Sequence, residues 1–588
     1  MSTLQADRWV DEISSPERLP GRAPYPFIAH VLALAAVLAV IFVLVDPRRL
    51  QQADEGAAIA QANHLASGSG WRIAHPMPQI DPEGDAFPYD LATRVAGTDD
   101  YVVFAKHPTY PLLLAGAIRV GGVPGAIALS TAGTLAGAVM AALIARRLGA
   151  GLDRMALWTV GAGSPLLFDG YQAIAHTLGA AAVAVSVYFV LARNHRMAVR
   201  GVAIVASAAF AVLMRNEALL FGAALGLAAF VQAVRARAWR DALAGALVWA
   251  GAIGGMQLDR TLAQTYVGAT DSVGSMSISG AGFLSGRATA LRITMFAGAE
   301  SNAVASALGL VAVATLAYAI VAARRTPEKW VSAGTVSLLV AAALVVQFVL
   351  APAEAVPGLL VACPVLVVGL ALLTGQQLRE PASFVLAASS AVFVAAVLAT
   401  QYANGGGGGW GGRYFGVVLP VLVPLVLAAI TRRISSIPGA ALRRLGAGLL
   451  LAHLVLGVHA VVSLRLSHEW TDQLVDHVVA FAGDDVPGDG DARPVVLTTS
   501  APLARLAWQH VGDGRWLTVD PGDVARYGGR LREAGLTTIT LASADPQADL
   551  AALGPGWTAQ GRPQVTVVQN LWRGDMAFGL YVVEVRAS

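Results

Sequence analysis

Cysteine and lysine are nearly missing from this chain, and charge of either sign is scarce. One cysteine, Cys363, stands in 588 residues, which excludes an internal disulfide and any zinc site built on several cysteines. Lysine occurs only at Lys106 and Lys329, while arginine is common. That bias, with so much alanine and glycine, marks a G+C-rich coding sequence and carries no chemistry. Charged residues make up 13%, against roughly 25% in an average soluble protein. Hydrophobic residues make up 56%, and the mean hydropathy is +0.60. An ordinary soluble fold cannot hide so much apolar surface, so disorder is excluded and the solvent is a bilayer. The net charge of +3 is too small to imply nucleic acid as a partner.

The first long apolar run without a formal charge, FIAHVLALAAVLAVIFVLV, covers 27–45. It starts far into the chain, behind a tail with both charge signs, and lacks a small-residue cleavage site. It therefore reads as a retained span rather than a cleaved leader. Further runs lie near 124–145, 155–168, 173–192, 201–214, 218–234, 242–256, 303–323, 331–351, 357–374, 383–400, 416–430 and 445–462. Several fall short of the ~20 residues that cross the hydrocarbon. The fold class expected is a polytopic α-helical membrane protein of about thirteen transmembrane helices.

Arginine placement gives the orientation. With the amino terminus in the cytoplasm, the tail and the short inner segments hold twenty Arg and Lys. The short outer loops hold five: Arg215, Arg260, Arg287, Arg292 and Arg413. That is the positive-inside pattern, the first outer loop being too long to count. An odd number of spans then puts the end of the chain outside the cytoplasmic membrane. The expected division is a cytoplasmic tail (1–26), a membrane domain (27–463) with its chemistry on a first outer loop (46–122), and an extracytoplasmic domain (464–588).

The last segment changes character. ARPVVLTTS (492–500), LTTITLAS (536–543), PQVTVVQ (563–569) and LYVVEV (580–585) are strand-like, with helical stretches near 505–510 and 521–534. Together they suffice for a small α/β domain. It carries ten basic and fifteen acidic residues from 465 onward. No internal repeat or inverted half-to-half match is visible, which weakens a transporter reading.

Three outer elements could do chemistry. Asp54 and Glu55 stand just after the first span, at the start of a helix expected over 56–65, where the helix dipole favours a carboxylate; N-capping is the plainer role for such a pair. DDYVVFAKHPTYPLLLAGAIRVGG (99–122) joins acidic, aromatic, cationic and histidine groups to an apolar helix at the interface. There Tyr101, Lys106 and Tyr110 suit a surface anchor. QYANGGGGGWGGRYFGVVLP (401–420) has five consecutive glycines, a poor helix or strand, leading to Arg413 and Tyr414 at the mouth of a span. An arginine there snorkels to headgroups or grips a phosphate with its planar fork. Asp169, Tyr171, His176, Arg215 and Glu217 fall at expected outer ends of spans, where ionisable groups are site candidates. Pairing between Arg215 and Glu217 is the simpler account of those two.

Taken together, "DE" at 54–55, "HPTYPLLLA" at 107–115 and "GGRYF" at 411–415 resemble the C-type glycosyltransferases. These are integral-membrane enzymes that use a polyprenyl-phosphate sugar donor. The likeness is to members related to the protein O-mannosyltransferases and the lipid A aminoarabinose transferase, with Thr109 standing where a second proline or small residue is usual. It spans about 27–430 and leaves the tail unmatched.

The resemblance implies a GT-C-like fold and an acidic residue of the first outer loop as general base. It deprotonates an acceptor hydroxyl, which displaces lipid phosphate with inversion. By position Asp54 is the base, with Glu55 as second choice or tuning partner. Lys106 and Arg413 face the leaving phosphate, with His107, Tyr110 and Tyr414 as further substrate contacts; a helix-capping role suits His107 equally. The implied partners are the bilayer, a polyprenyl-phosphate-linked sugar and a glycan, lipid or protein acceptor. A divalent cation is left open, since Asp54, Glu55, Asp99 and Asp100 could serve with or without one.

Two other classes compete. A flippase for a lipid-linked sugar would want charged or broken spans near the bilayer centre, where this chain is nearly all Ala, Leu, Val and Gly. A non-catalytic envelope assembly protein, binding through its outer domain, would leave Asp54, Lys106 and Arg413 without a shared role.

Overall fold

The fold comes from a computed structural model. It describes residues 25–48, 50, 52–89, 92–104, 106–149, 151–268, 283–296, 303–350, 356–400, 409–483, 495–512, 515–570 and 574–587. All but the end of the expected 1–26 tail, and glycines 405–408 of the glycine run, lie outside the described residues.

A chain whose backbone must satisfy its own hydrogen bonds in lipid folds into helices, and most of this one is helical. Among the described residues, nine helices are long and apolar enough to cross a bilayer. Their outward faces carry Val43, Leu339 and Val349, all exposed, which is stable only against lipid. The helix Leu419–Arg433 is the opposite case: every residue from Leu419 to Ile430 is buried, so neighbouring helices wrap it completely.

Four of the thirteen expected spans take another form. The 155–168 run is a helix, Leu152–Gly161, that stops before Ser164-Pro165, followed by one turn at Leu166–Asp169. Proline biases the residue before it away from helical geometry. The same effect at Cys363-Pro364 splits the 357–374 run into Leu359–Ala362 and Pro364–Leu372. The 173–192 run is the 16-residue helix His176–Leu191, and 242–256 lies inside the longer Trp239–Val267. The apolar helix expected before the second span is continuous with it as Thr109–Leu148, broken at Gly121 and Gly122, where the backbone leaves helical geometry.

Beyond the membrane helices, two segments fold as one body. The first, between the first span and Thr109, contains the helix Ala53–Ala66 and short strands Ile73–Ala74, Thr93–Arg94 and Asp100–Val102. The second is a five-stranded sheet in the order Arg515–Thr518, Val495–Thr498, Thr538–Ser543, Gly574–Ala587, Trp557–Asn570. Its first three strands are parallel and its last three antiparallel. Alternation along the strands gives it two apolar faces. Val496, Ala542 and Val582 pack with Ala57, Ala60, Phe87 and Tyr101, and with Leu474 and Val478 from the end of the helix Gly439–Gly483. Leu497, Leu541 and Val583 pack with Met77, Ile80 and Tyr527. The first loop thus covers both faces of a sheet that lies more than four hundred residues away.

A buried polar knot fixes that union. Asp81 accepts hydrogen bonds from Tyr527 Oη at 2.7 Å and His75 Nε2 at 2.8 Å. Backbone N–H groups of Gly84, Asp85 and Ala86 donate to it as well. Burial alone would push this carboxyl up, but the His75, Tyr527 and Ala86 donors outweigh it and bring its pKa down to about 2. Around it, Arg530 pairs with Glu83, Arg526 with Asp85, and Thr518 Oγ1 donates to the Pro88 carbonyl.

Candidate functional site

The helix Ala53–Ala66 starts where the first loop meets the membrane helices, and its first turn carries Asp54 and Glu55. Glu55 is fully buried. One of its oxygens accepts from the Gln52 N–H at 2.8 Å, the reciprocal arm of a capping box, and the other accepts from the Ala173 N–H at 2.7 Å. Glu55 therefore ties the helix start to the turn before His176. It holds its neighbour in place and does not share the exposed face with it.

Asp54 is the more open of the two, its side chain 30% exposed. Its Oδ2 accepts from Arg413 Nη2 at 2.8 Å, across 359 residues of sequence. Its Oδ1 accepts from Arg505 Nη1 at 3.1 Å. Arg413 also reaches Gln52 Oε1 and His176 Nε2, each at 3.4 Å.

Glycine builds the approach of Arg413. Gly411 and Gly412 both have left-handed backbones, φ 67° and 70°. A Cβ on Gly411 would stand 2.0 Å from Pro165 Cγ, and one on Gly412 2.5 Å from the Thr294 carbonyl. Only glycine fits both the torsion and the space. The turn then opens into the 3-10 helix Arg413–Val418. The adjacent Trp410 is buried, stacked on Phe168 with ring centroids 5.1 Å apart.

The electrostatics are lopsided. Burial would push the Asp54 carboxyl up, but Arg413, with Lys106 and Arg505 adding to it, holds its pKa below the usual 3.8. Burial pushes the Lys106 ammonium down; Asp54 opposes this, while Arg413, Arg215 and Arg505 reinforce it, and its pKa lies below 10.5. Arg215 makes a two-pronged pair with Glu217 at 2.9 and 3.0 Å. Arg413, Arg505 and Lys106 thus all bear on the Asp54 carboxylate.

The other candidates lie as follows. His107 Nδ1 is 3.1 Å from Asp259 Oδ2 on the helix Trp239–Val267. Tyr110 is buried in apolar packing with Ala58, Ala62 and Leu114. Tyr414 is buried beside Arg413 at the edge of the membrane core. Asp169 is buried within electrostatic reach of Arg413 and Arg215, and Tyr171 donates to the Leu38 carbonyl at 3.0 Å. Asp99 is exposed and paired with Arg94, and Asp100 lies in the strand Asp100–Val102. Among the described residues no three His, Cys, Asp or Glu side chains converge as metal ligands. Arg413, Arg505 and Lys106 beside Asp54 are groups suited to an anion such as phosphate.

The chain is similar in overall course to two proteins of known structure. It aligns with ArnT from Cupriavidus metallidurans at 15% identity and a TM-score of 0.45, covering 96% of this chain and 98% of that one. The same protein bound to undecaprenyl phosphate matches at 14% identity and 0.45, over 94% and 97%. The Archaeoglobus fulgidus oligosaccharyltransferase matches at 11% identity and 0.46, over 90% of this chain and 73% of that one. Neither protein carries a residue or an activity across at these values. No family model and no curated protein matches the chain by sequence.

Arg505 is the site residue that sequence reasoning missed. It is one of ten basic residues in the tail, in a one-turn helix Leu503–Leu506, and no motif marks it. The signal lay elsewhere, at Gly56: a Cβ there would stand 1.8 Å from the Arg505 carbonyl oxygen. The glycine after "DE" is where the tail's backbone lands.

Proposed function

We propose that the chain is an integral-membrane glycosyltransferase that moves a sugar from a polyprenyl-phosphate donor to an acceptor hydroxyl on the outer face of the cytoplasmic membrane. The observation that carries this reading is the contact between Asp54 and Arg413. It joins a carboxylate suited to take a proton to a guanidinium suited to hold a phosphate, at the membrane end of the first loop.

Asp54 accepts the proton of the acceptor hydroxyl as its oxygen attacks the anomeric carbon. The carbon–oxygen bond to phosphate breaks on the opposite side, so the configuration inverts, and the lipid phosphate leaves with the electron pair. Arg413 and Lys106 hold the charge that develops there. In the resting chain two guanidinium groups bind Asp54 and make it a weak base. A donor phosphate that draws a guanidinium away restores its basicity at the moment it is needed. Base and leaving-group contacts within a few bond lengths of one carbon are the geometry that in-line displacement requires. The arginine distribution supports placing this site on the outer face.

The test is Asp54→Asn in proteoliposomes supplied with a panel of polyprenyl-phosphate sugars. Asn caps a helix about as well as Asp, so a merely structural Asp54 would leave transfer intact. As the base, its loss lowers turnover by roughly 10²-fold or more. Full transfer by the variant would end the catalytic assignment.

A further inference from the structure

The helix Leu419–Arg433 begins beside the turn of Arg413 and, at 15 residues, ends about 22 Å away. Three short connectors meet at that far end. The first joins the helices Ala303–Arg325 and Trp330–Leu350, the second Pro364–Leu372 and Pro381–Thr400, and the third Leu419–Arg433 and Gly439–Gly483. Contacts between them fix the meeting. Arg324 Nη1 donates to the Ala371 carbonyl at 2.6 Å, tying the first to the second. Arg432 makes a two-pronged pair with Glu380, tying the second to the third. A Cβ on Gly334 would stand 2.9 Å from Arg444 Cβ and 3.0 Å from the Ala441 carbonyl oxygen. The helices that follow the first and third connectors therefore start against each other.

Residues 324–330, 371–381 and 431–444 hold seven arginines and one lysine against two glutamates. Arg324 is engaged with a carbonyl and Arg432 with Glu380. Arg325, Lys329, Arg379, Arg433, Arg443 and Arg444 are all exposed, and Glu328 is the one further acid in these segments. The positive-inside pattern accounts for basic connectors one at a time. The fold adds that three of them, far apart in the sequence, form one patch. Beside the patch the surface is apolar. Val331 and Leu339 on Trp330–Leu350 are 41% and 64% exposed, and Leu450 and Leu454 on Gly439–Gly483 are 72% and 61% exposed. The last two lie about 9 and 15 Å along their helix from Arg444. Cations at the edge of an apolar wall match a phospholipid, phosphate at one level and acyl chains at the next. An acidic soluble partner would meet the cations and leave the wall uncovered.

We propose that this patch is a binding site for anionic phospholipid, its phosphate gathered by cations from the three connectors and its acyl chains laid along Trp330–Leu350 and Gly439–Gly483. Arginine suits the role, because its planar fork takes two phosphate oxygens at once and is less strongly hydrated than an ammonium. Lipid held there clasps the three connectors together at one end of Leu419–Arg433, whose other end adjoins the turn of Arg413. The site does not depend on which reaction the chain carries, so it is tested apart from the transferase reading.

The experiment is native mass spectrometry of the full chain in nonionic detergent, titrated with phosphatidylglycerol and with phosphatidylcholine of the same acyl chains. The wild type should hold phosphatidylglycerol at least about 10-fold more tightly. A Lys or Arg near an anionic surface contributes ~1 kcal/mol, or about 5-fold. Arg443→Gln with Arg444→Gln should therefore weaken phosphatidylglycerol binding by about 25-fold, and Arg325→Gln with Lys329→Gln by as much, with phosphatidylcholine changed far less. All four side chains are exposed, and should one pair fail to fold, the other decides. Arg196→Gln with Arg240→Gln removes the same charge from exposed positions at two other helix starts and should leave the preference intact. Equal binding of the two lipids by the wild type overturns the proposal, and so does wild-type affinity in the folded patch variants. An equal loss in the Arg196 and Arg240 variant also overturns it, because net charge and not the patch would then select the lipid.

Discussion

Asp81→Asn should loosen the carboxy-terminal domain from the first loop, by an amount set by the hydrogen bonds the carboxylate accepts. Asp81 is buried and takes five, two from side chains and three from backbone N–H groups. Against the burial that opposes ionisation, the His75 and Tyr527 donors lower its pKa from 3.8 to about 2. At ~1.4 kcal/mol per pH unit, that difference stabilises the folded state by roughly 2.5 kcal/mol at neutral pH. The folded pKa lies below the unfolded one. The stabilisation is therefore complete above about pH 4 and is lost as pH falls through about 2. Asn presents one acceptor oxygen and turns an NH₂ toward donors, so the variant should lose at least this much. For a unit of this size the melting point should drop by roughly 5–10 °C. Differential scanning of the detergent-solubilised chain measures it, and hydrogen exchange over 77–86 and 524–533 locates it. The gap between wild type and variant should narrow as the buffer goes from pH 6 toward pH 2. An unchanged melting point at neutral pH, or a gap that stays constant on acidification, would refute the knot as the docking element.

Three further outcomes follow from the site. Asp54→Asn should bind a polyprenyl phosphate about 10-fold more tightly while transferring sugar poorly, since it removes the anion that competes for Arg413; isothermal titration beside a transfer assay reads both, and weaker binding would contradict the competition. Gly412→Ala should cost about 1–3 kcal/mol through its positive φ and its clash with the Thr294 carbonyl, lowering transfer although Arg413 is untouched; a variant with normal melting and transfer would show the turn to be dispensable. Glu55→Gln should lower the melting point, because its oxygens serve two backbone donors. Its transfer per folded molecule should fall less than that of Asp54→Asn, and the reverse order would move the base to Glu55.

The membrane architecture could be read because length and hydropathy are properties of one segment at a time. Where the reading and the fold part, the cause is local: Pro165 and Pro364 break runs that composition alone makes continuous. The strand Arg515–Thr518 was missed because four residues, RWLT, carry too little alternation to stand out. It takes its place from pairing with Val495–Thr498. In the site, Asp54 and Arg413 stood out as charges in an otherwise apolar chain, the latter behind glycines that a left-handed turn demands. Arg505 did not, because charge is ordinary in a polar domain, and its depth depends on how that domain docks.

A structure of the chain with a polyprenyl phosphate bound would test the central claim most directly. The phosphate oxygens should lie within hydrogen-bond distance, about 3 Å, of Arg413, with Lys106 beside them, the lipid tail running into the membrane and the phosphorus facing the Asp54 carboxylate. A phosphate held elsewhere, with Asp54 and Arg413 still closed on each other, would contradict the claim that these two residues form one catalytic centre.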